Sequence, residues 1–493
     1  MPCRVVTLPA GCDAGPLCIT LAGLPARMRP ADSELPGVTM HKFQLLCDSF
    51  IRAIRQGDYQ QGDRLPSLRA VCQAHGVSMN TAKKAFHELE RQAYIEALPR
   101  SGFRVLAGAA PHPLPDAALP LEALLLDSRL PAPLGSPFVN PALIDMRVLN
   151  RELSRAMHGY SSAAIHSPVF GLDTLRRQIS RHYHAEGVHL HWESLLITCG
   201  GMEALALAIQ AVLQDGRPPC VAVMLPAFPG ALNLLRQLGV AIVALPESPA
   251  EQETLLASRP LAALLVMPNF QHPTGQSLSD AGKQALLDLA HRFDVPVIED
   301  DTYRQLHFAG QAPLPLKAHD RCGLVLHCGS FSKTLAPGYR VGWLEPGRYL
   351  DRVRALKLCS TLSSPLPSQL ALAELLAGPA VPRLLQKLRR ELQQRTQLLR
   401  QAALAHFPAG TQVSEPAGGY LLWVTLPRAS DLAALLPGVH AAGLHFAPGS
   451  LCLPETAASA CNTLRLNASF YTAAAEPRLQ QLGRLLGNTA GDL

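Results

Sequence analysis

The sequence predicts an α/β protein, a doubly wound and mostly parallel sheet preceded by a small basic unit of short helices. Apolar runs SLLITCG, CVAVMLP, ALLVMP and VPVIED recur through the last two-thirds of the chain, each followed by a helix-length segment. Strands alternating with helices at this spacing give crossover connections and hence a parallel sheet. Ahead of them, residues 41–106 hold ten Lys/Arg against six Asp/Glu, a surplus of four positive charges within the +6 of the whole chain. Between the two regions lies Ala107 to about Pro137, dense in Ala, Pro and Leu, with a short helix predicted at Leu121 to Leu126. That composition predicts a semi-stiff connector.

A chain of 493 residues exceeds one small core, so two or three domains are expected. Hydrophobic content of 48% with 17% charged residues indicates a globular protein rather than a mainly disordered one. No apolar run reaches the roughly eighteen residues of a membrane helix. The 12 cysteines are scattered without a CxxC pair, which predicts reduced thiols in a cytoplasmic protein. Histidines cluster in HYH (His182) and HLH (His189), but no cysteine or carboxylate pattern completes a metal site, so none is expected.

Residues 1–39 are rich in Pro, Gly and Ala, and Pro9 and Asp13 interrupt any signal-peptide core. Disorder is expected there, and N-terminal sequencing would decide whether translation starts instead at Met40, where a helical pattern begins. Phe43, Leu46, Phe50 and Ile54 recur at the spacing of an amphipathic helix. QGDYQQGDRLPS reads as a turn into a second helix capped by Ser67 and running from Leu68 to Ala74. Gly76 breaks it, and Ser78 caps a third helix from Asn80 to about Ala93. With YIEALPRSGFRVL as a two-stranded wing, the segment reads as a winged helix-turn-helix, or as a plain three-helix bundle.

The wording GDRLPSLRAV, GVSMNTAKKAF and SGF resembles the GntR family of bacterial regulators. The resemblance implies that Arg69, the recognition-helix residues Ser78, Asn80, Thr81 and Lys83, and Lys84 beside them face double-stranded DNA, with Arg100 and Gly102 at the wing tip. Hydroxyls and a helix N-terminus suit phosphates, while Asn and Lys can read base edges. Met79 departs from the arginine that many relatives carry, which removes a guanine contact.

In the second region the chemistry concentrates in GSFSKTLAPGYRVGW, Gly329 to Trp343. A lysine that attacks a carbonyl needs its neutral amine, which a buried, cation-rich setting supplies. Lys333 is a Schiff-base candidate, while Ser330, Ser332 and Arg340 can donate to a phosphate. These are the two reactive ends of pyridoxal phosphate. An SxSK string alone also reads as a surface loop. The full string resembles the SFSKxxxPGxRxG segment of the fold type I aminotransferases, which implies Lys333 as the internal aldimine lysine and Arg340 as a phosphate ligand.

The same resemblance extends over nearly everything after residue 140. In ITCGGMEALALAI a strand, glycine turn and helix start can hold a phosphate on backbone N–H groups, and the family assigns these to Gly201 and Met202. Phe228 in LPAFPG takes the place of the aromatic that stacks on the pyridine ring. Asp300 in VIEDDTY ends an apolar strand and would pair with the pyridine nitrogen, with Tyr303 at the family's DxxY spacing near the phenolic oxygen. Glu299 and Asp301 beside it read alternatively as helix-capping charges. His272 in MPNFQHPTG stands where the family has asparagine. His166 stands where relatives have a tyrosine that reaches the partner subunit's phosphate, with Tyr160 as a substitute. EPAGGYLLWVTLP and NTLRLNASF match strands of a smaller α+β subdomain, where Arg465 would bind a carboxylate through a bidentate fork or else sit on an exposed edge.

A GntR-type head on an aminotransferase-like domain resembles the MocR subfamily of transcriptional regulators. The expected boundaries are 1–39, 40–106 for the head, 107–137 for the linker and 138–493 for the cofactor domain. The resemblance implies a homodimer that binds operator DNA and senses an amino acid or amine through an external aldimine that displaces Lys333. The alternatives are a working aminotransferase with an auxiliary head, and a regulator that has lost its cofactor.

Overall fold

The computed structural model describes residues 42–99, 101–106, 132–159, 167–428, 432–454 and 462–488. They fall into two compact units, one within residues 1–118 and one within 119–493. The expectations for residues 1–39, for a helix at 121–126, and for Arg100, Tyr160 and His166 lie outside the described residues.

In the first unit helix α1 spans Lys42–Gln56, α2 Leu68–His75 and α3 Met79–Arg91. The apolar stripe read from the sequence is the face that packs: Leu46, Phe50 and Ile54 are buried with Val71, Ala85, Phe86 and Leu89. Phe86 is the centre of this core, edge-on to Phe50 at 5.3 Å and to Phe103 at 5.0 Å between ring centroids. Ser67 caps α2 by accepting from Ala70 N at 3.3 Å, and Ser78 caps α3 by accepting from Thr81 N at 3.2 Å. Gly76 ends α2 in the left-handed region at φ 62°, which a residue without Cβ adopts freely. Strands β1 (Ile95–Leu98) and β2 (Gly102–Val105) pair antiparallel as the wing.

The second unit holds two sheets. Seven strands, β3 (Leu196–Thr198), β4 (Cys220–Val223), β5 (Ala241–Ala244), β6 (Ala263–Val266), β7 (Val297–Asp300), β8 (Val325–Ser330) and β9 (Gly342–Glu345), lie in the order β3-β9-β8-β7-β6-β4-β5. Pairs from β5 through β8 are parallel, and β9 runs antiparallel to both β8 and β3. The four apolar runs read from the sequence are β3, β4, β6 and β7. Residues of β6 and β7 are buried throughout, as strands covered by helices on both faces must be. The smaller sheet is antiparallel, β10 (Gln412–Val413), β11 (Leu421–Thr425), β13 (Thr463–Asn467) and β12 (Ala447–Pro448) in that spatial order.

The connector boundary at 137 needs correction. Ala132, Leu134 and Ser136 are buried, Ala132 forms a parallel bridge with Leu444, and Asn467 N donates to Leu134 O at 2.6 Å. An Ala- and Pro-rich segment reads as solvated, yet here its few apolar side chains complete the core beside the small sheet.

Candidate functional site

In the first unit Arg69, Ser78, Asn80, Lys83 and Lys84 are exposed, Thr81 is half-buried and Gly102 is exposed at the wing turn. Ser78 Oγ and Thr81 Oγ1 lie 2.9 Å apart at the start of α3. The opposite face of α3 carries Ala82, Ala85, Phe86 and Leu89 into the core, so period 3.6 alone turns Asn80, Lys83 and Lys84 outward. Met79 is exposed at the same helix start.

The second site forms where the strands of the large sheet end. Asp300 closes β7 and Ser330 closes β8, and Lys333 follows in a single 3-10 turn, Phe331–Lys333, before the chain returns as β9. The helix Gly201–Leu213 starts directly after β3 with no side chain capping it, which leaves donors and the positive end of its dipole free for an anion. Around that start the backbone approaches closely. A Cβ on Gly200 would stand 2.7 Å from Arg340 Nη2, and one on Gly201 would meet Ser330 Cβ at 3.5 Å and Thr302 Oγ1 at 3.6 Å. Ser330 Oγ donates to Ser332 Oγ at 3.0 Å, and Arg340 Nη1 donates to Ser332 Oγ at 3.3 Å. Two hydroxyls, a guanidinium, Thr302 and a helix N-terminus therefore converge on one phosphate-sized place. Met202 takes its position as the second residue of the helix, and Glu203 fixes the turn by accepting from Cys199 N and from buried Lys357 at 2.8 Å.

Lys333 is half-buried, and its Nζ donates to the carbonyl of Pro137 at 2.8 Å. Burial, then the positive charge of Arg465, lower its ammonium from 10.5 to about 7, with Asp300 acting in the opposite direction. Burial pushes the Asp300 carboxyl upward, and its bonds from Thr302 and the charge of Lys333 pull it back. His272 is held well below 6.5 by burial and by the charges of Arg465 and Lys333, so its ring is neutral. Arg465 Nη1 donates to His272 Nε2 at 2.8 Å, which puts the ring proton on Nδ1. That Nδ1 is buried without a partner. Phe228 stands edge-on to His272 at 5.2 Å between centroids, and Tyr303 lies 6.5 Å from it on another side. Tyr303 Oη donates to Tyr420 Oη at 3.2 Å, which donates to Pro137 O at 2.9 Å.

Arg465 lies on β13 and is fully buried, so the exposed-edge alternative fails. Its other bond goes from Nη2 to the carbonyl of Gly135, and its Nε has no partner among the described residues. Among the described residues no carboxylate pairs with it. A buried cation hydrogen-bonded to neutral acceptors favours an anion brought beside it.

Residues 146–453 match the family described as aminotransferase class I and II, and residues 47–105 match the bacterial regulatory proteins of the gntR family. An uncharacterized HTH-type transcriptional regulator of Escherichia coli, YdcR, is 35% identical over 468 residues, covering 91% of this chain and 99% of the relative. A second from the same organism, YjiR, is 31% identical over 87% of this chain and 95% of its own length. The chain belongs to the MocR subfamily of GntR-type regulators. Solved aminotransferase structures share the fold of the larger unit of this MocR chain. A Thermus thermophilus alpha-aminoadipate aminotransferase, LysN, superposes with a TM-score of 0.67 over 75% of this chain and 95% of its own, at 24% identity. A Pyrococcus horikoshii kynurenine aminotransferase gives 0.66 over 75% and 93%, also at 24%.

Within this MocR chain, Glu299 takes the capping role the sequence offers and Asp301 does not. Glu299 accepts from Leu316 N at 2.6 Å and Lys317 N at 3.0 Å, capping a short turn far along the chain. Asp301 instead pairs with buried Arg304 at 2.7 Å. Thr302, Tyr420, Asn467 and the carbonyls of Gly135 and Pro137 join the site without having been singled out. Thr302 lay inside the DxxY spacing and Tyr420 inside EPAGGY, but main-chain oxygens leave no trace in a sequence. Of the histidines of HYH and HLH, His184 and His189 meet at the surface with their Nδ1 atoms 3.2 Å apart, while His182 Nε2 lies 3.2 Å from the Leu376 carbonyl.

Proposed function

We propose that this MocR chain is a pyridoxal-phosphate-dependent transcriptional regulator whose larger unit senses an amino acid or amine and whose head binds operator DNA. The observation that carries it is the neutral-leaning Lys333 beside buried Arg465, which has no carboxylate partner among the described residues, on the same polypeptide as a GntR-type recognition helix. Two features support a fit to the cofactor. The uncapped helix start around Gly200 and Gly201 suits a phosphate, and the orphaned Nδ1–H of His272 suits an oxygen acceptor.

In this reading Gly201 and Met202 N–H, Ser330, Ser332 and Arg340 hold the phosphate. Phe228 would serve the ring, Asp300 the pyridine nitrogen, and His272 and Tyr303 the phenolic oxygen. When bound, pyridoxal phosphate supplies an aldehyde that condenses with amines. Lys333 would be the residue joined to that aldehyde, and a value lowered to about 7 would leave its amine available near neutral pH without a large protonation cost. Arg465 provides the fork for a ligand carboxylate. The state with ligand and the state without it differ in affinity for DNA, which is the linkage that regulation requires. The chain acts in the cytoplasm as a homodimer, so that two heads read a repeated operator.

The test uses purified protein reconstituted with pyridoxal phosphate. A visible absorption band should form, vanish in Lys333→Ala, and shift with members of an amino acid and amine panel. The same ligands should change affinity for DNA from the region upstream of the gene. A colourless protein, or DNA affinity indifferent to every ligand that shifts the band, refutes the reading. The orientation of Lys333 and Asp300 also suits a working aminotransferase. Fast multiple turnover with an amino acid and keto acid pair, without DNA binding, would establish that instead.

A further inference from the structure

Residues 135–138 cross the site as a strap whose carbonyl oxygens occupy its key donors. Gly135 O accepts from Arg465 Nη2, and Pro137 O accepts from Lys333 Nζ at 2.8 Å and Tyr420 Oη at 2.9 Å. Asn467, two residues beyond Arg465 on β13, donates through Nδ2 to Ser136 O and Phe138 O, each at 2.7 Å. The Phe138 ring lies 5.2 Å from Lys333 Nζ. One short segment thus holds both the amine and the guanidinium on which ligand binding depends.

We propose that this strap is a built-in competitor that an amino acid displaces and a simple amine does not. The inference rests on the ligand-sensing role given above to Lys333 and Arg465. A simple amine leaves Arg465 with Gly135, because removing that carbonyl would strand a buried cation. A ligand that also carries a carboxylate replaces the neutral carbonyl with a charge-assisted acceptor, roughly twice as strong. Only such a ligand frees the Gly135 end of the strap, so the effector class narrows to amino acids.

The strap also joins the two sheets. Upstream it is fixed to the small-sheet region, since Ala132 N donates to Gly443 O at 3.2 Å, His445 N to Ala132 O at 3.2 Å, and Asn467 N to Leu134 O at 2.6 Å. Its bond to the large sheet is the one from Lys333, which sits between β8 and β9. Because the cofactor would draw on that same amine, the hold left for a carboxylate ligand to release in the loaded protein is the one from Arg465 to Gly135.

Gly135 makes the strap separately testable. A Cβ there would lie 2.5 Å from the carbonyl carbon of Phe446 and 2.5 Å from His445 Nδ1, so Gly135→Ala lifts the strap without altering a ligand-binding side chain. The full-length protein loaded with pyridoxal phosphate is compared with three matched probes, L-alanine, ethylamine and propionate. In the wild type, hydrogen exchange at the Ser136 and Phe138 amides should accelerate at least tenfold with saturating L-alanine and stay unchanged with ethylamine. Gly135→Ala should show the fast exchange without ligand and bind propionate at least tenfold more tightly. Equal acceleration by ethylamine, or unchanged propionate affinity in a folded Gly135→Ala, overturns the proposal. The exchange measurement needs no variant, so it decides even if Gly135→Ala does not fold. If neither L-alanine nor ethylamine alters the visible band, the sensing role itself fails, while the propionate comparison still judges the strap.

Discussion

Replacing Lys333 with methionine should stabilise the cofactor-free protein, and by an amount that depends on pH. The folded state lowers the Lys333 ammonium from 10.5 to about 7. At about 1.4 kcal/mol per pH unit, this difference of 3.5 corresponds to a cost of about 5 kcal/mol, an upper bound for a fully dry site. Lys333 is only half-buried, and solvent screening reduces the cost to about 2 kcal/mol. The unfolded chain keeps its proton up to pH 10.5 and the folded one only up to about 7. Between those values each fall in pH favours unfolding, and below 7 the cost is constant. Lys333→Met removes that cost together with one hydrogen bond to Pro137, a pH-independent loss of about 1 kcal/mol. The stability advantage of Lys333→Met should thus be greatest at pH 7 and shrink steadily through pH 8 and 9. Urea unfolding followed by tryptophan fluorescence measures it cleanly, because Trp192, Trp343 and Trp423 are the three tryptophans of the chain and all belong to the second unit. A stability difference that is flat with pH, or that grows as pH rises, would show that the fold does not disfavour the ammonium.

His272→Asn keeps an acceptor for Arg465 and should retain cofactor binding, whereas His272→Leu strands Arg465 Nη1 and should cost about 2–4 kcal/mol in the same urea experiment. Gly200→Ala places a Cβ 2.7 Å from Arg340 Nη2 at φ 85° and should weaken pyridoxal phosphate at least tenfold in equilibrium dialysis. Arg69→Ala and Lys83→Ala should each weaken DNA binding and reduce its salt dependence by about one released counterion, with no change in the visible band. If the band is lost in either variant, the head and the cofactor site are not independent.

How much was legible depends on which atoms carry the information. The runs of β3, β4, β6 and β7 were readable because strands buried on both faces need apolar side chains almost throughout. β8 was not, since VLHCGS places His327 and Ser330 in a fully buried strand, and only tertiary partners satisfy them: Glu299 bonds His327 Nδ1 at 2.8 Å, and Tyr183 Oη lies 2.8 Å from its Nε2. Lys333 thereby moves from an apparent loop to a turn held between two antiparallel strands.

The amino-acid sequence determined the helix faces of the head, its Ser67 and Ser78 caps, and the side-chain inventory around Lys333, because periodicity and motif spacing are local properties. Tertiary structure alone decided that, among the described residues, Arg465 is buried with no carboxylate beside it and His272 Nδ1 has no partner, and that a segment resembling a linker holds Lys333 through Pro137. Those features arise from residues more than a hundred positions apart and from main-chain carbonyls common to every residue, so they come into being only when the two sheets close on one another.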